Sequence, residues 1–293
     1  MFKGSIVALI TPFKNGKIDE QSFQDFIEWQ IIQGTHGLVP SGTTGESPTL
    51  THDEHERVIS LCVECANGKI PVIAGTGSNS TDEAISLTKY SENVGANAVL
   101  VVTPYYNKPT QNGLYNHFKA INDNSNIPII IYNIPGRSVV DMSVETMEKL
   151  SKLRNIIGVK DSSNDLTRPL HTINKIGKNF CQLSGEDATV VPFLSQGGHG
   201  CISVTANIAP KQCADLHNAW QKGDREEVEK INSYLFPLHQ ALFIETSPGP
   251  TKYAASLLKI CLKECRLPLE EVSQNTKEIV KKTLDDLKIN PIK

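Results

Sequence analysis

A (β/α)8 barrel followed by a small helical region is the fold class that this sequence predicts. Eight short apolar segments lie within residues 1–223, and most of them are rich in Val and Ile and lack polar alternation. This character is typical of parallel strands that are covered on both faces. A helical pattern follows each segment, and eight strand–helix units are the number that closes a barrel. An open doubly wound sheet is the alternative, which eight regular units disfavour.

The predicted strands are residues 6–10, 37–39, 70–74, 98–102, 127–132, 156–160, 180–183 and 200–203. The helices predicted after them are residues 19–33, 52–65, 80–94, 112–122, 143–153, 166–176, 187–194 and 210–221. Asp19 is the predicted N-cap of the first helix. Four glycines stand just past helix ends, where a C′ glycine belongs; they are Gly34, Gly68, Gly95 and Gly177.

After residue 223 the strand pattern stops. Residues 224–245, 249–265 and 270–287 carry three helical patterns with no strand between them. We therefore expect residues 1–223 to form a catalytic barrel and residues 224–293 to form a C-terminal three-helix region packed on it.

Composition and charge exclude several classes of function. The formal net charge is −3, from 29 Lys and Arg against 32 Asp and Glu, which is the wrong sign for a chain that binds nucleic acid. No apolar stretch reaches the roughly 20 residues of a membrane span, and residues 6–10 are too few for a signal segment. We expect a cytoplasmic protein with neither a nucleic-acid nor a membrane partner.

The 7 cysteines, an odd number in a long chain, indicate reduced thiols rather than a disulfide framework. Cys62 with Cys65, and Cys261 with Cys265, leave a four-thiolate zinc site open in principle. The first pair falls at the end of a predicted helix, where no helix N-terminus stabilises a thiolate, so we expect free thiols instead. No cluster of His, Asp and Glu follows the strands, and neither a metal nor a cofactor is expected.

Lys160, the last residue of the sixth predicted strand, is the most informative position. In a barrel the active-site groups come from the carboxyl ends of the strands. Burial there disfavours the charged ammonium form, and a neutral amine can attack a ketone to give an imine. The adjacent carbon can then lose a proton and become an enamine nucleophile. Considered by itself, a lysine at this position is explained equally well by a salt bridge to the neighbouring Asp161.

Hydroxyl and aromatic side chains follow other predicted strands. Thr43 and Thr44 lie in a glycine-framed run after the second strand, whose backbone N–H groups can bind a carboxylate. Tyr105 and Tyr106 follow the fourth strand, and Tyr132 ends the fifth. A tight turn and ordinary packing would explain these residues as well, so their spacing alone leaves the function open.

Arg137 lies five residues after Tyr132. Its guanidinium group can bind both oxygens of a carboxylate, although a surface arginine would look the same in the sequence. Gly185 follows the seventh strand, where it can let a backbone carbonyl line the site, and Ile202 lies near the end of the eighth. Glycine-rich runs elsewhere lack the dinucleotide-binding pattern or precede a strand, which argues against a nucleotide site.

Three segments together resemble the family that contains the dihydrodipicolinate synthases and the N-acetylneuraminate lyases. They are GLVPSGTTGE at 37–46, YNIPGRS at 132–138 and IGVKDS at 157–162. The resemblance extends over the whole chain and implies a lyase on the same barrel. It implies that Lys160 forms a Schiff base with pyruvate. Thr43, Tyr132 and Tyr106 would form a proton relay, with Tyr106 reaching in from a neighbouring subunit.

The resemblance also implies the substrate contacts. Thr44 would help to hold the pyruvate carboxylate, and Arg137 would bind the carboxylate of aspartate β-semialdehyde. Gly185 and Ile202 would contribute backbone groups. The product would be 4-hydroxy-tetrahydrodipicolinate, an intermediate of lysine and diaminopimelate synthesis. Arg137 and the threonine pair favour the synthases, because the lyases usually have Ser-Thr at the pair and lack the arginine.

The family pattern places an inhibitory lysine site near a cavity between subunits. Its residues would be Ser47, His52, His55, Asn79, Glu83 and Tyr105. Glu83 suits an ammonium group, and Asn79 and Tyr105 suit a carboxylate. The two histidines, three apart at a helix start, would also fit an exposed face or weak metal binding.

The same resemblance suggests a homo-oligomer, a dimer of dimers. Two other functions stay open. One is a related pyruvate-dependent aldolase that acts on a sugar acid, and the other is a barrel that binds small acids without catalysis.

Overall fold

A computed structural model of the chain describes residues 1–291. The strands in this part of the chain are β1 (Gly4–Ala8), β2 (Phe13–Lys14), β3 (Lys17–Ile18), β4 (Gly37–Val39), β5 (Ile73–Gly75), β6 (Ala98–Val102), β7 (Ile129–Asn133), β8 (Ile156–Asp161), β9 (Cys181–Ser184) and β10 (Gly200–Ser203). The α-helices there are α1 (Glu20–Ile32), α2 (His52–Ala66), α3 (Thr81–Asn93), α4 (Gln111–Asp123), α5 (Pro135–Ser138), α6 (Val144–Leu150), α7 (Arg168–Ile176), α8 (Val190–Ser195), α9 (Pro210–Lys222), α10 (Arg225–Ala241), α11 (Gly249–Leu257) and α12 (Gln274–Asp286).

Eight strands form one sheet in the order β4–β1–β10–β9–β8–β7–β6–β5, and α-helices follow them as the predicted barrel requires. Every residue of β1, β4, β5, β7, β9 and β10 is buried. This burial on both faces is the reason why the strands read as continuous apolar runs. The predicted strands at 37–39, 98–102 and 200–203 match β4, β6 and β10 to the residue.

The third predicted strand begins later than expected. We predicted residues 70–74, whereas β5 starts at Ile73. Pro71 has no backbone N–H to donate to a neighbouring strand. The next N–H, that of Val72, donates to the side chain of Asn97 at 2.8 Å. A side chain therefore takes the place of a strand partner for this N–H, while the Val72 carbonyl still accepts from the backbone N–H of Asn97 at 2.9 Å.

Helix ends follow their sequence signals in most places. The backbone N–H of Ser22 donates to Asp19 Oδ1 at 3.2 Å, which confirms the predicted N-cap. The four predicted C-terminal glycines have φ between 70° and 108°, a left-handed region that favours glycine. The hairpin of β2 with β3 and the short helix α5 were not predicted, because segments of two to four residues show no periodicity.

The helix predicted at residues 249–265 is wrong in its second half. α11 ends at Leu257, and Lys259 has a φ of 61°, which an α-helix cannot contain. Residues 260–269 continue without helix or strand. This stretch supplies contacts to the loop after β4, as described below.

By its internal contacts the chain divides into two compact units. The first comprises residues 1–3 and 71–202, and contains β5–β9, most of β10 and α3–α8. The second comprises residues 4–70 and those from 203 onward, and contains β1–β4, α1, α2 and α9–α12. The predicted division into a barrel and a C-terminal region near residue 223 stays a prediction. No helix within residues 1–291 is long and apolar enough to cross a membrane.

Candidate active site

Lys160 lies one residue before the end of β8, and only 6% of it is exposed. The register of β7 and β8 pairs it with Tyr132. Its Nζ lies 4.0 Å from the centroid of the Tyr132 ring. Lysine is rarely buried to this extent without a specific role. The structure therefore brings together an amine and a phenol, two of the predicted catalytic groups.

Asp161, the residue after Lys160, has a different partner. Its Oδ2 lies 3.0 Å from Arg168 Nε, and its Oδ1 accepts from the backbone N–H of Ser163 at 2.8 Å. Successive strand side chains point to opposite faces of a sheet, so Asp161 faces away from the side that Lys160 lines. The carboxylate that the sequence offered as a salt-bridge partner for Lys160 is thus bound to Arg168.

Gly185, directly after β9, lies close to the lysine side chain. A Cβ atom on this residue would lie 1.9 Å from Ser162 Oγ and 3.0 Å from Lys160 Cε. A side chain at this position would force the Ser162 or Lys160 side chain to move, so the absence of a Cβ permits the close approach. The role of Gly185 as a backbone contribution to the site stays a prediction.

β9 and β10 are parallel and in register at their carboxyl ends. Gly185 and Ile202 therefore lie at the same end of the sheet, and Ile202 is fully buried. Glu186 is a further group there that the sequence analysis missed. Burial raises the pKa of its carboxyl group, whereas the charge of Lys160 acts in the opposite direction. In the sequence, only the position of Glu186 next to Gly185 pointed to this group.

Arg137 lies in the loop after β7, within the short helix α5, and is exposed. The next residue, Ser138, is buried and fixes this loop. Its Oγ lies 2.9 Å from the carbonyl oxygen of Ile134 and 3.0 Å from that of Val140, and it accepts from Thr103 Oγ1 at 3.1 Å. The guanidinium group is therefore held on a fixed loop but is free to meet a ligand from solvent.

Three of the residues predicted for the lysine site meet in the first unit. The Tyr105 hydroxyl hydrogen-bonds to the Asn79 backbone and to the Ser78 side chain, and burial, followed by the charge of Glu83, raises its pKa. Ser78 Oγ also donates to the Glu83 carboxylate. Asn107 Nδ2 donates to the Asn79 carbonyl at 2.8 Å. A carboxylate and a phenol thus lie in one cluster, beside the backbone of Asn79.

Tyr106, next to this cluster, differs from Tyr105 in both burial and backbone. It is 90% exposed and has a φ of 73°, a conformation that non-glycine residues rarely adopt. Lys108 nearby also has a positive φ, of 48°. The side chain of Tyr106 therefore projects from the surface of its own chain.

The second unit contains the loop that carries Thr43 and Thr44. Tight turns form it: Gly45 N donates to the Gly42 carbonyl and Glu46 N to the Thr43 carbonyl, both at 3.1 Å. Thr44 is 5% exposed, whereas Thr43 is half-buried. The packed backbone explains the glycine-rich sequence, because a Cβ on Gly45 would lie 3.1 Å from a neighbouring carbonyl oxygen.

Glu46, the last residue of this run, forms a fully buried ion pair that the sequence analysis did not foresee. Lys252 Nζ lies 2.5 Å from Glu46 Oε1, and neither side chain is exposed. The ammonium group also donates to the Glu264 carbonyl at 2.6 Å and lies 4.0 Å from the ring centroid of Phe13. Arg266 N donates to Glu46 Oε2 at 2.9 Å. Segments far apart in sequence thus hold the threonine loop.

Arg266 makes a second connection between the same segments. Its guanidinium group binds both oxygens of Glu54 at 2.6 Å and donates to the Thr49 carbonyl at 2.9 Å. These hydrogen bonds lower the pKa of Glu54 to about 2. Glu54 also closes the capping box of α2 with Thr51. The start of α2, where the two predicted histidines lie, is therefore anchored.

The second-unit members of the predicted lysine site sit around this anchored helix start. Ser47 begins a short 3₁₀ helix and is half-buried. His52 is the first residue of α2 and is exposed, whereas His55 is 7% exposed. The equal exposure expected of two surface histidines is therefore not found. Their relation to the lysine site stays a prediction.

The cysteines of the alternative zinc site are free thiols. Burial raises the pKa of Cys261 to about 12 and that of Cys265 to about 11, so both are protonated. Burial likewise raises the pKa of Cys62. Among residues 1–291 no group of three or more His, Cys, Asp and Glu side chains is placed to hold a metal ion.

The model of the dihydrodipicolinate synthetase family matches residues 1–287. The chain belongs to this family. A 4-hydroxy-tetrahydrodipicolinate synthase of Rhodospirillum centenum is 66% identical over 284 residues, which are 97% of this chain and 98% of that protein. The predicted family is thereby confirmed.

Solved members of the dihydrodipicolinate synthetase family have the same fold. The synthase of Aquifex aeolicus superposes with a TM-score of 0.97 at 46% identity, over 100% of both chains. A chloride-inhibited synthase of Acinetobacter baumannii in complex with pyruvate gives 0.96 at 42%, over 99% of this chain and 100% of that one. The synthase of Cyanidioschyzon merolae with lysine bound gives 0.95 at 34%, over 98% and 99%. The predicted (β/α)8 barrel is confirmed.

Proposed function

We propose that this chain condenses pyruvate with aspartate β-semialdehyde to give 4-hydroxy-tetrahydrodipicolinate, in lysine and diaminopimelate synthesis. The observation that carries the proposal is Lys160, a buried strand-end lysine with its amine over the ring of Tyr132, in a member of this family. The shared name of its relatives and the pyruvate complex of a structural neighbour support the same reaction.

In the first step Lys160 Nζ attacks the ketone carbon of pyruvate. The carbinolamine loses water to give a protonated imine, and the methyl carbon then loses a proton to give the enamine. These steps need a group that gives and takes protons beside the amine, and Tyr132 has its ring 4.0 Å from Nζ. Thr43 and Tyr106 complete the relay, on the family pattern.

The remaining predicted residues bind the two acids. Thr44 and the N–H groups of its loop bind the pyruvate carboxylate, and the backbone at Gly185 and Ile202 lines the reacting end. Arg137 binds the carboxylate of aspartate β-semialdehyde with two parallel hydrogen bonds. Its exposure and its fixed loop suit a residue that receives the second substrate after the enamine has formed.

Borohydride reduction tests the central claim. With pyruvate present, borohydride should add one stable mass to the peptide that contains Lys160 and abolish activity. Lys160→Arg should give no adduct, whereas Lys152→Arg, which changes an exposed lysine of the preceding turn, should react like the parent. The mechanism fails if the parent gives no adduct or carries it on another lysine. Pyruvate binding without trapping would instead favour a non-catalytic barrel.

Arg137→Ala separates the synthase from an aldolase that acts on a sugar acid. We expect the variant to keep the borohydride adduct and to lose activity with aspartate β-semialdehyde, because only the second carboxylate loses its partner. A substrate panel with sugar acids completes the test. Activity of the parent on a sugar acid, with none on aspartate β-semialdehyde, would favour the alternative.

Lysine is the proposed inhibitor. Its site is formed by Ser47, His52, His55, Asn79, Glu83 and Tyr105. The cluster of Glu83 and Tyr105 beside the Asn79 backbone supports this assignment, since it offers a carboxylate for an ammonium group beside a phenol. A structural neighbour solved with lysine bound supports lysine as the ligand. Glu83→Gln should weaken inhibition by lysine, whereas Asp82→Asn should not. Unchanged rates of the parent at millimolar lysine would refute the proposal.

A homo-oligomer, a dimer of dimers, is proposed because Tyr106 is 90% exposed in a single chain. A catalytic tyrosine with this exposure needs a second copy to bring it to a site. Sedimentation equilibrium gives the state, and mixing Tyr106→Phe with Lys160→Arg chains should restore part of the activity that each variant lacks. No recovery in mixed oligomers would contradict the shared site. The cytoplasmic location expected from the sequence stays a prediction.

A further inference from the structure

The paired strands β7 and β8 carry two consecutive register pairs at their carboxyl ends. Tyr132 is opposite Lys160, and Asn133 is opposite Asp161. Side chains alternate between the two faces of a sheet. The first pair therefore faces one side with the reacting groups, while the second pair faces the helices. The second pair has no place in the reaction described above.

Arg168, the first residue of α7, is bound to that second pair and is 9% exposed. Its Nε lies 3.0 Å from Asp161 Oδ2, and its Nη1 lies 3.0 Å from Asp141 Oδ1. The third nitrogen, Nη2, donates to the Met142 carbonyl. One guanidinium group therefore joins the strand that carries Lys160 to the segment at 141–142.

Asn133 makes the same connection from the neighbouring strand. Its Nδ2 donates to Asp141 Oδ1 at 2.8 Å, and its Oδ1 accepts from Met142 N at 2.9 Å. The loop between Asn133 and Asp141 carries Arg137. Both ends of this loop are thus tied to the residues that directly follow Tyr132 and Lys160 in the chain.

We propose that Arg168, with Asp161, Asp141 and Asn133, is a positioning network that sets the Arg137 loop against the strand end of the Schiff-base lysine. The inference rests on the proposed function, because it assigns the second substrate to Arg137. Arg168 touches no substrate. Its two ion pairs have different roles. The pair with Asp161 fixes the strand end that carries the lysine, and the pair with Asp141 fixes the loop that binds the second acid.

The network predicts which step each contact controls. The Arg168–Asp161 pair is buried, with side-chain exposures of 10% and 9%, whereas Asp141 is half-exposed. Removing the Asp141 carboxylate leaves the buried pair intact and weakens only the hold on the loop, which keeps its contacts through Met142. Imine formation needs Lys160 alone, and condensation needs the loop as well, so the two steps should respond differently.

Asp141→Ala is the decisive variant. We expect the KM for aspartate β-semialdehyde to rise about fivefold, the upper range for an ion pair of this exposure. The rate of pyruvate-dependent borohydride inactivation should stay within about twofold of the parent, because the lysine strand keeps its buried pair. Asp123→Ala, which removes an exposed carboxylate paired with Lys119, is the matched control and should change neither.

Arg168→Lys and Arg168→Met test the role of Arg168 at the centre of the positioning network. Arg168→Met should lower both the inactivation rate and the affinity for the second substrate, and Arg168→Lys should recover more of the inactivation rate than of the affinity, since one ammonium group cannot serve both carboxylates. If Arg168→Met does not fold, the Asp141→Ala variant still tests the proposed network.

Two results overturn the inference while the proposed function stands. In the first, Asp141→Ala leaves the KM for aspartate β-semialdehyde unchanged. In the second, Asp141→Ala lowers the rate of borohydride inactivation as much as it lowers the affinity for aspartate β-semialdehyde. In both cases the parent is still trapped on Lys160. Absence of trapping in the parent refutes the proposed function itself, and the inference with it.

Discussion

The buried pair of Glu46 and Lys252 gives the sharpest prediction about stability. Lys252→Met keeps the length of the side chain but removes the ammonium group. The Glu46 carboxylate would then be fully buried and would keep the Arg266 N–H as a partner, at 2.9 Å. The Glu264 carbonyl would lose its donor at 2.6 Å as well. Water does not reach either group of the pair, because neither side chain is exposed.

The expected loss is about 3–5 kcal/mol of unfolding free energy, the usual cost of removing one partner of a buried ion pair. A typical domain has about 5–15 kcal/mol in total, so the variant should unfold at a much lower urea concentration. Glu46→Gln should lose less, since an amide can still accept the Arg266 N–H. Combining Glu46→Gln with Lys252→Met should cost less than the sum of the two, because no charge stays buried.

Urea titration followed by tryptophan fluorescence measures these losses, since Trp29 and Trp220 both lie in the unit that contains the pair. Lys211→Met, at an exposed lysine of α9, is the control and should leave the midpoint unchanged. An unfolding free energy of Lys252→Met within about 1 kcal/mol of that of the parent would refute this prediction. Additive losses in the double variant would refute it too, because they would mean that the two groups do not interact.

Two further predictions concern close packing and pH. Gly185→Ala would put a Cβ 1.9 Å from Ser162 Oγ and 3.0 Å from Lys160 Cε, so the folded state should lose about 1–3 kcal/mol through overpacking, and kcat should fall because the Lys160 side chain has to move. Adding Ser162→Gly should restore part of this loss, and a fully active single variant would contradict the crowding. His117 is buried, and burial lowers its pKa to about 4. The unfolded chain has the higher pKa, about 6.5, and binds the proton first. Stability should therefore fall as the pH drops from about 6.5 to about 4, by up to about 1.4 kcal/mol per pH unit from this residue. His117→Gln should reduce that slope in urea midpoints followed by circular dichroism, and an unchanged slope would speak against it.

The sequence identified the candidate reacting groups better than the residues that hold them in place. A strand-end lysine, a tyrosine one strand earlier and glycine-framed threonines were visible because side chains at strand ends follow from the strand positions themselves. Arg168 and Lys252 were not predicted. Arg168 begins a helix eight residues after Lys160, and Lys252 stands 206 residues from Glu46, so no local pattern connects either of them with its partner.

Local physics explains which structural elements could be predicted. Apolar runs without alternation identified eight strands, because burial on both faces removes the need for polar residues. Asp19 and the four glycines marked helix ends, because capping is decided within one turn. The helix predicted to reach residue 265 failed, because residues 260–269 are held in irregular form by distant partners such as Glu54 and Glu46.

The sequence by itself therefore determined the fold class, the family and the identity of the groups placed at the strand ends. Each of these depends on periodicity, on capping or on a contiguous motif. Only the tertiary structure decided the Arg168 network, the buried Glu46–Lys252 pair and the close approach of Gly185 to the lysine side chain. These depend on distances between residues that are remote in the chain, and such distances are fixed only when the strands and helices pack.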